Sequence, residues 1–237
     1  MNTTTPHLPV ENLILSVLPA DIRNQLLSQL EPVHLPFSEV LYEIDDPVDY
    51  IYFLNSGMVS MVSSTYEGES LEVGIVTYEG YLGLPIFLKD TASAYRMIVQ
   101  AEGNALRMKV DTFKAMCNEH ARLQEVLHRY TQSLIREVTQ SALCICFHQL
   151  EARLCRWLLF CQDAVKSETL HLTQEFLADM LGVRRAGVTG AAGTIQDKGL
   201  ISYSRGRITI LDRQGLEAAS CECYKAIKEA FAWLHGD

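Results

Sequence analysis

Between Glu31 and about Val110, apolar and polar residues alternate in short runs: VLYEI, YIYFL, MVSMVSS, LEVGIVTY, RMIVQA and ALRMKV. Turn-forming clusters separate them, at Asp45-Asp46-Pro47, Asn55-Ser56-Gly57, Glu67-Gly68-Glu69 and Glu102-Gly103-Asn104. A period of two, repeated between turns, predicts the strands of an antiparallel sandwich or roll. Ahead of them, residues 11–30 read as short helical turns punctuated by Pro19, with Leu26, Leu27 and Leu30 as an apolar stripe.

After Val110 the period lengthens. Asp111 reads as an N-cap, and from Thr112 to about Phe147 there is neither Pro nor Gly, which predicts one long helix. Leu123, Leu127, Tyr130 and Leu134 fall at heptad-like spacing along it. Such a seam wants a partner helix, and in a symmetric dimer the partner is a second copy of the same helix. The competing reading is a stripe turned to the chain's own core. A further helix over about 148–165 carries Leu150, Leu154, Trp157 and Leu158. Residues 166–171 form a connector. The tail from Leu216 reads as an amphipathic helix with Tyr224, Ile227, Phe231 and Leu234 on one face.

Between connector and tail lies LTQEFLADMLGVRRAGVTGAAGTIQDKGLISYSRGRITILD. Thr173 can cap a short helix that begins at Gln174 and ends at Leu181, where Gly182 supplies a positive φ. A second helix runs from about Arg184 to Lys198, closed by Gly199. Val188, Ala191 and Ile195 make its buried face, and Arg185, Thr189, Ala192 and Gln196 another. Two strands follow, joined by Ser204-Arg205-Gly206-Arg207. A short helix, a glycine turn, a second helix and an arginine-tipped hairpin form a winged helix-turn-helix. Arg184 and Arg185 stand where a recognition helix meets base edges and phosphates, Thr189 suits a thymine methyl or a phosphate, and Arg205 and Arg207 suit phosphates. Thr173, Gln174 and Gln196 complete the candidate DNA-contacting set. Gly187, Gly190 and Gly193 resemble a dinucleotide-binding turn only loosely, because their spacing is G-x-x-G-x-x-G and a helix precedes them.

Composition sharpens the picture at one point. The 237 residues carry a net charge of −9, but Gly182 to Arg207 holds five basic residues and one acidic, a net of +4 that leaves −13 elsewhere. Mean hydropathy of +0.05 describes a chain that folds around a core. No apolar run is long enough for a bilayer. No Lys or Arg precedes Arg23, and no small-residue cleavage site follows an apolar core, which argues against a leader peptide and for the cytoplasm. Seven cysteines, at 117, 144, 146, 155, 161, 221 and 223, are expected as reduced thiols. The pairs Cys144/Cys146 and Cys221/Cys223 are read as buried apolar cysteines, the other reading of Cys144/Cys146 being a redox or metal site near His148. No metal ligand set and no cofactor are assigned. Without a nucleophile elbow, phosphate loop, His-Glu metal motif or acid/base pair, the chain does not read as an enzyme.

In TQEFLADMLGVRRAGVT and in the order of its parts, the chain from about residue 13 to 213 resembles the CRP/FNR family of bacterial transcription regulators. The resemblance implies an α+β fold in three parts: a cyclic-nucleotide-binding-like sensor roll over 1–110, a dimerisation helix over 111–147, and a winged-helix domain with a C-terminal helix over 148–237. It implies a homodimer on palindromic double-stranded DNA, with RNA polymerase and a small-molecule effector as further partners. Family cyclic-nucleotide pockets map onto Gly83, Leu84, Tyr95 and Arg96, with Thr139 on the long helix. Leu84 stands where cAMP-binding members have Glu, so a ribose hydroxyl would lose its partner, which argues against cAMP. No cysteine precedes Cys117, so the N-terminal iron–sulfur site of oxygen-sensing members has no counterpart. Of the family's base-reading pattern only Arg185 is retained. The alternative is a ligand- or redox-sensing module whose winged helix meets protein partners.

Overall fold

The computed structural model describes residues 10–236; residues 1–9, part of the stretch read for a leader, lie outside it, as does Asp237. The chain opens with helices α1 (Leu13–Ser16) and α2 (Ala20–Gln29). Eight strands follow: β1 (Glu31–Leu35), β2 (Val40–Tyr42), β3 (Tyr50–Leu54), β4 (Met58–Ser64), β5 (Ser70–Val76), β6 (Tyr81–Leu82), β7 (Arg96–Ala101) and β8 (Gly103–Lys109), with a helical turn α3 (Leu84–Phe87) after β6. They form two four-stranded antiparallel sheets, in the orders β1-β8-β3-β6 and β2-β7-β4-β5. Each of the six apolar runs becomes a strand. Two strands escape the sequence pattern. β1 contains Pro32 and is largely exposed, which an edge strand tolerates, and β6 is two residues long.

The expected single helix after the roll is two helices, α4 (Val110–Glu119) and α5 (Ala121–Phe147). His120 between them is extended, at φ −120° and ψ 96°. Neither Pro nor Gly is needed for the break, because the Gln124 side chain takes the freed Cys117 carbonyl at 2.5 Å. The bend lets Phe113, Met116 and Cys117 on α4 and Leu123, Val126 and Leu127 on α5 enter one core.

The expected dimer seam is corrected by the same packing. Leu123, Leu127, Tyr130 and Leu134 are buried to 5% exposure or less within the chain itself. The Tyr130 ring packs at a tilt on Tyr81 of the roll, at 5.2 Å, and on Phe231 of the tail, at 5.9 Å. The opposite face of α5 carries a second stripe at heptad spacing, all exposed: Ala121, Glu125, His128, Gln132, Ile135, Thr139, Ala142 and Cys146.

Helix α6 (Leu150–Val165) then leads to strand β9 (Thr169–His171), α7 (Gln174–Leu181), α8 (Arg185–Asp197), β10 (Ile201–Ser204) and β11 (Arg207–Ile210). The segment read as a connector supplies β9, so the wing is a three-stranded sheet in the order β10-β11-β9. The tail is broken into α9 (Arg213–Ala219), α10 (Cys223–Phe231) and a 3-10 turn at Ala232–His235. Ile227, Ala230, Phe231 and Leu234 join the core of the roll rather than that of the winged helix. The far end of the tail therefore clasps α5, while Leu216 of α9 and Tyr224 of α10 pack in the winged-helix core.

Strand β4 joins the two halves. Its Val59 and Met61 face the core of the roll, while Met58 and Val62 belong to the winged-helix core. The period of two sorts one strand between two cores, which is why both of its faces are apolar.

Candidate nucleic-acid interface

The Thr173 hydroxyl accepts a hydrogen bond from the Phe176 amide at 3.2 Å and caps α7. Gly182 ends the helix at φ +62°. A Cβ there would also lie 2.7 Å from Leu71 of β5, so the turn seats against the roll. On α8, Val188, Ala191 and Ile195 are buried as expected, and Ala192 is buried too, which removes it from the outward face. That face presents Arg185, Ala186, Thr189, Gly190 and Gln196 to solvent, with Arg184 as the N-cap residue.

Gln174 organises this face. Its Oε1 accepts from the Thr189 hydroxyl at 3.0 Å and from Arg185 Nε at 3.4 Å, so two candidate base readers share one anchor. Gln196 uses its Oε1 to accept the Tyr203 amide at 2.7 Å, tying the wing to α8. Tyr203 Oη donates in turn to the Leu172 carbonyl at 3.0 Å. Thr173 and Gln196 thus hold the scaffold, and the outward chemistry falls to the arginines and Thr189. Arg205 and Gly206 at the wing tip have φ of +50° and +74°, the two left-handed residues of a type I′ hairpin turn. A non-glycine residue there is strained, and it projects a guanidinium from the tip.

Electrostatics set this surface apart. Arg184, Arg185, Lys198, Arg205 and Arg207 are all exposed, and among the described residues none of them is in an ion pair. By contrast, Arg107 is held by Glu31 at 2.7 Å and Arg213 by Asp163 at 2.8 Å. Unpaired cations gathered on one end of an acidic body form an electrostatic footprint for phosphates.

The glycines of α8 divide. A Cβ on Gly187 would meet Leu150 of α6 at 3.2 Å, whereas Gly190 and Gly193 have nothing within 4 Å. Close approach to a neighbouring helix explains the first only.

The residues mapped to an effector pocket make no direct polar or ring contact with one another. Arg96 is on the surface in an ion pair with Glu43 at 3.2 Å. Thr139 is exposed on the outer stripe of α5, donating to the Ile135 carbonyl at 2.8 Å. Gly83 caps α3 at φ +149°, where a Cβ would strike Ile51. Leu84 and Tyr95 are partly buried, and burial pushes the Tyr95 hydroxyl up to about 12. No hydrogen bond, ion pair or ring contact among the described residues joins any of these five to another. Where the roll meets α5, aromatic side chains fill the space: Tyr81 stacks on Phe53 at 5.8 Å and lies 6.0 Å from Phe113.

A junction that the sequence did not reveal links roll to winged helix. Trp157 of α6 donates to Glu72 of β5 at 2.7 Å, and Ser60 of β4 donates to the same carboxylate. Glu72 is buried, and desolvation, only partly offset by these two donors, lifts its pKa to about 7. Glu137 of α5 accepts the Ile75 amide at 2.8 Å and is lifted by burial to about 8. Isolated acidic residues inside strand and helix patterns carry no periodic signal, and they were invisible for that reason.

Two family models match the chain. Residues 32–120 match a cyclic nucleotide-binding domain and residues 152–219 a Crp-like helix-turn-helix domain. The global nitrogen regulator of Nostoc sp. is 24% identical over 176 residues, covering 70% of this chain and 78% of that protein. Among solved structures, a putative transcriptional regulator of the crp/fnr family from Eubacterium rectale superposes with a TM-score of 0.69 at 18% identity, over 87% of this chain and 96% of that one. FixK2 from Bradyrhizobium japonicum gives 0.67 at 15% identity, over 81% and 98%. The similarity to these structures is one of fold. No helix among the described residues is long and apolar enough to cross a membrane.

Proposed function

The chain belongs to the CRP/FNR family of transcription regulators, and on that premise we propose that it acts in the cytoplasm as a homodimer on palindromic DNA, reading each half-site with α8. The observation that carries this reading is the set of unpaired, exposed cations on α8 and the wing, in a chain whose net charge is −9. Arg185, anchored by Gln174, is the base reader; a bidentate arginine contact to guanine discriminates by about 1–3 kcal/mol. Thr189 stands beside it. Arg184, Arg205 and Arg207 take phosphates and set register.

Dimerisation uses the outer stripe of α5. Ile135 on this stripe is 54% exposed, and Leu143 and Phe147 beside its C-terminal end are 45% and 76% exposed, which leaves apolar surface for a second copy to cover. Two copies side by side place two recognition helices on successive turns of the duplex. The roll acts as the sensor, for an effector other than cAMP, because Leu84 offers no acceptor and Arg96 is already engaged by Glu43. Any effector works by binding two arrangements of the dimer unequally. Contact with RNA polymerase belongs to the same reading.

Selection from a random DNA library tests it. The wild-type chain should enrich an inverted repeat, and Arg185→Ala should blur one position in each half-site. Enrichment of unrelated sequences by both proteins, or retention of the full motif by Arg185→Ala, would refute the assignment. Absence of any DNA binding, with and without cell extract, would favour a winged helix that meets protein.

A further inference from the structure

We propose that Cys144, His148, Cys221 and Cys223 form a tetrahedral zinc site that fastens the hinge between α5 and α6 to the C-terminal tail. Their four ligand atoms lie within 4.8 Å of one another. Cys144 Sγ is 3.4 Å from Cys221 Sγ, and Cys223 Sγ is 3.4 Å from His148 Nδ1. A Zn²⁺ ion with bonds of about 2.3 Å to sulfur and about 2.0 Å to nitrogen separates its ligands by roughly 3.5–3.8 Å around a tetrahedron. Three thiolates and one imidazole are a common structural zinc set.

The chain geometry suits the task. Cys144 and His148 are four residues apart, so both project from one face of the last turn of α5. Cys221 and Cys223 flank the start of α10, where the tail breaks between two helices. Cys144 and Cys223 are fully buried, Cys221 is 7% exposed, and the His148 side chain is 21% exposed.

The surroundings match those of ligands rather than of core cysteines. His148 Nε2 lies 3.2 Å from the Glu222 carboxylate, an arrangement that turns Nδ1 towards the thiols and makes it the metal-facing nitrogen. Gln140 Nε2 donates to Cys223 Sγ at 3.1 Å, as outer-shell donors do to metal-bound sulfur. Buried apolar cysteines have no use for a carboxylate-oriented imidazole. A Cys144–Cys221 disulfide would leave Cys223 and His148 without a role.

The site closes a loop in the architecture. His148 caps the end of α5, and Gln149 is the N-cap of α6, so the metal sits where the long helix hands over to the winged helix. Both pairs of ligands lie outside the two segments that match family models, 32–120 and 152–219. The proposal is independent of DNA binding and is tested without it.

The experiment is Co²⁺ titration of the full-length chain, stripped of metal by chelation under reducing conditions. The expected result is one ion per chain, with intense tetrahedral d–d bands and a thiolate-to-cobalt charge-transfer band, both bleached by one equivalent of Zn²⁺. Cys223→Ser should weaken the charge-transfer band. Glu222→Gln, which removes only the carboxylate behind the imidazole, should keep the tetrahedral spectrum and weaken Zn²⁺ binding by about 10–100-fold. If Cys223→Ser does not fold, the wild-type spectrum and Glu222→Gln decide the matter. No uptake at micromolar Co²⁺ or Zn²⁺, an octahedral spectrum, or a Cys144–Cys221 disulfide that forms in the presence of Zn²⁺ would overturn the proposal.

Discussion

Replacing Glu72 with Gln isolates the electrostatics of the junction between roll and winged helix. In the folded chain this carboxyl holds its proton up to about pH 7, because burial outweighs the hydrogen bonds from Ser60 and Trp157 and the positive charge of Arg156. In the unfolded chain it titrates near its ordinary 4.5. Between those values the folded state binds a proton that the unfolded state does not, so stability falls as pH rises through this window. A shift of 2.5 pH units at about 1.4 kcal/mol each corresponds to about 3 kcal/mol, present in full below pH 4.5 and lost above pH 7. Glutamine stays neutral, can still accept from Trp157, and can donate to Ser60. Urea denaturation at intervals from pH 5 to 8.5, followed by tryptophan fluorescence, measures the effect. The wild-type free energy should decline towards alkaline pH, and the advantage of Glu72→Gln should grow by on the order of 2–3 kcal/mol between pH 5 and pH 8. Glu137, raised to about 8, tilts the wild-type curve in the same direction and remains in the variant. Parallel wild-type and variant curves would refute the account, because they would mean that Glu72 is ionised in the fold at all these pH values.

On α5, Ile135→Asp should give monomers in sedimentation while leaving the fold intact, whereas Leu127→Ala should cost about 2–5 kcal/mol of stability without changing association. A dimer that survives Ile135→Asp would place the interface elsewhere. Gly193→Ala fills open space in a helix and should stabilise the chain by up to about 1 kcal/mol in denaturant titration; a loss of stability would reveal a contact at that position. Arg205→Ala should weaken binding to all DNA sequences and lower the slope of log affinity against log salt by about one. A loss confined to the operator would reassign Arg205 to base reading.

Much of the fold was legible because it rests on local periodicity. The six alternating runs became strands, and Gln174 to Leu181 with Gly182 became a capped helix with its left-handed end, because those signals depend on neighbours in sequence. β1, β6 and β9 carried no such signal. They are short or edge strands whose hydrogen bonds come from partners far along the chain: β1 from β8, β6 from β3, and β9 from β11. The exposed arginine cluster on α8 and the wing was legible in the sequence. The roles of Gln174, as the anchor of Arg185 and Thr189, and of Gln196, as the anchor of the wing, depend on side-chain reach between elements.

The long helix shows why a correct pattern can yield the wrong partner. A helix that packs on a roll and, as proposed, on a second copy of itself needs two stripes, each with heptad-like spacing. The inner stripe, Leu123, Leu127, Tyr130 and Leu134, is the more apolar because a permanently closed core excludes water completely. The outer stripe mixes His128, Gln132 and Thr139 with Ile135 and Ala142, a composition suited to a surface that is wet in the free chain. Ranking stripes by hydrophobicity therefore selects the core and passes over the stripe proposed for dimerisation. The cysteines read as buried divide: Cys144, Cys221 and Cys223 are buried, and Cys146 is exposed. Cys144 and Cys146 look like a pair in sequence, yet two positions along a helix differ by about 200° in direction. Cys146 consequently points outward, and Cys144 finds its companions more than seventy residues away, where the break in the tail turns Cys221 and Cys223 towards it.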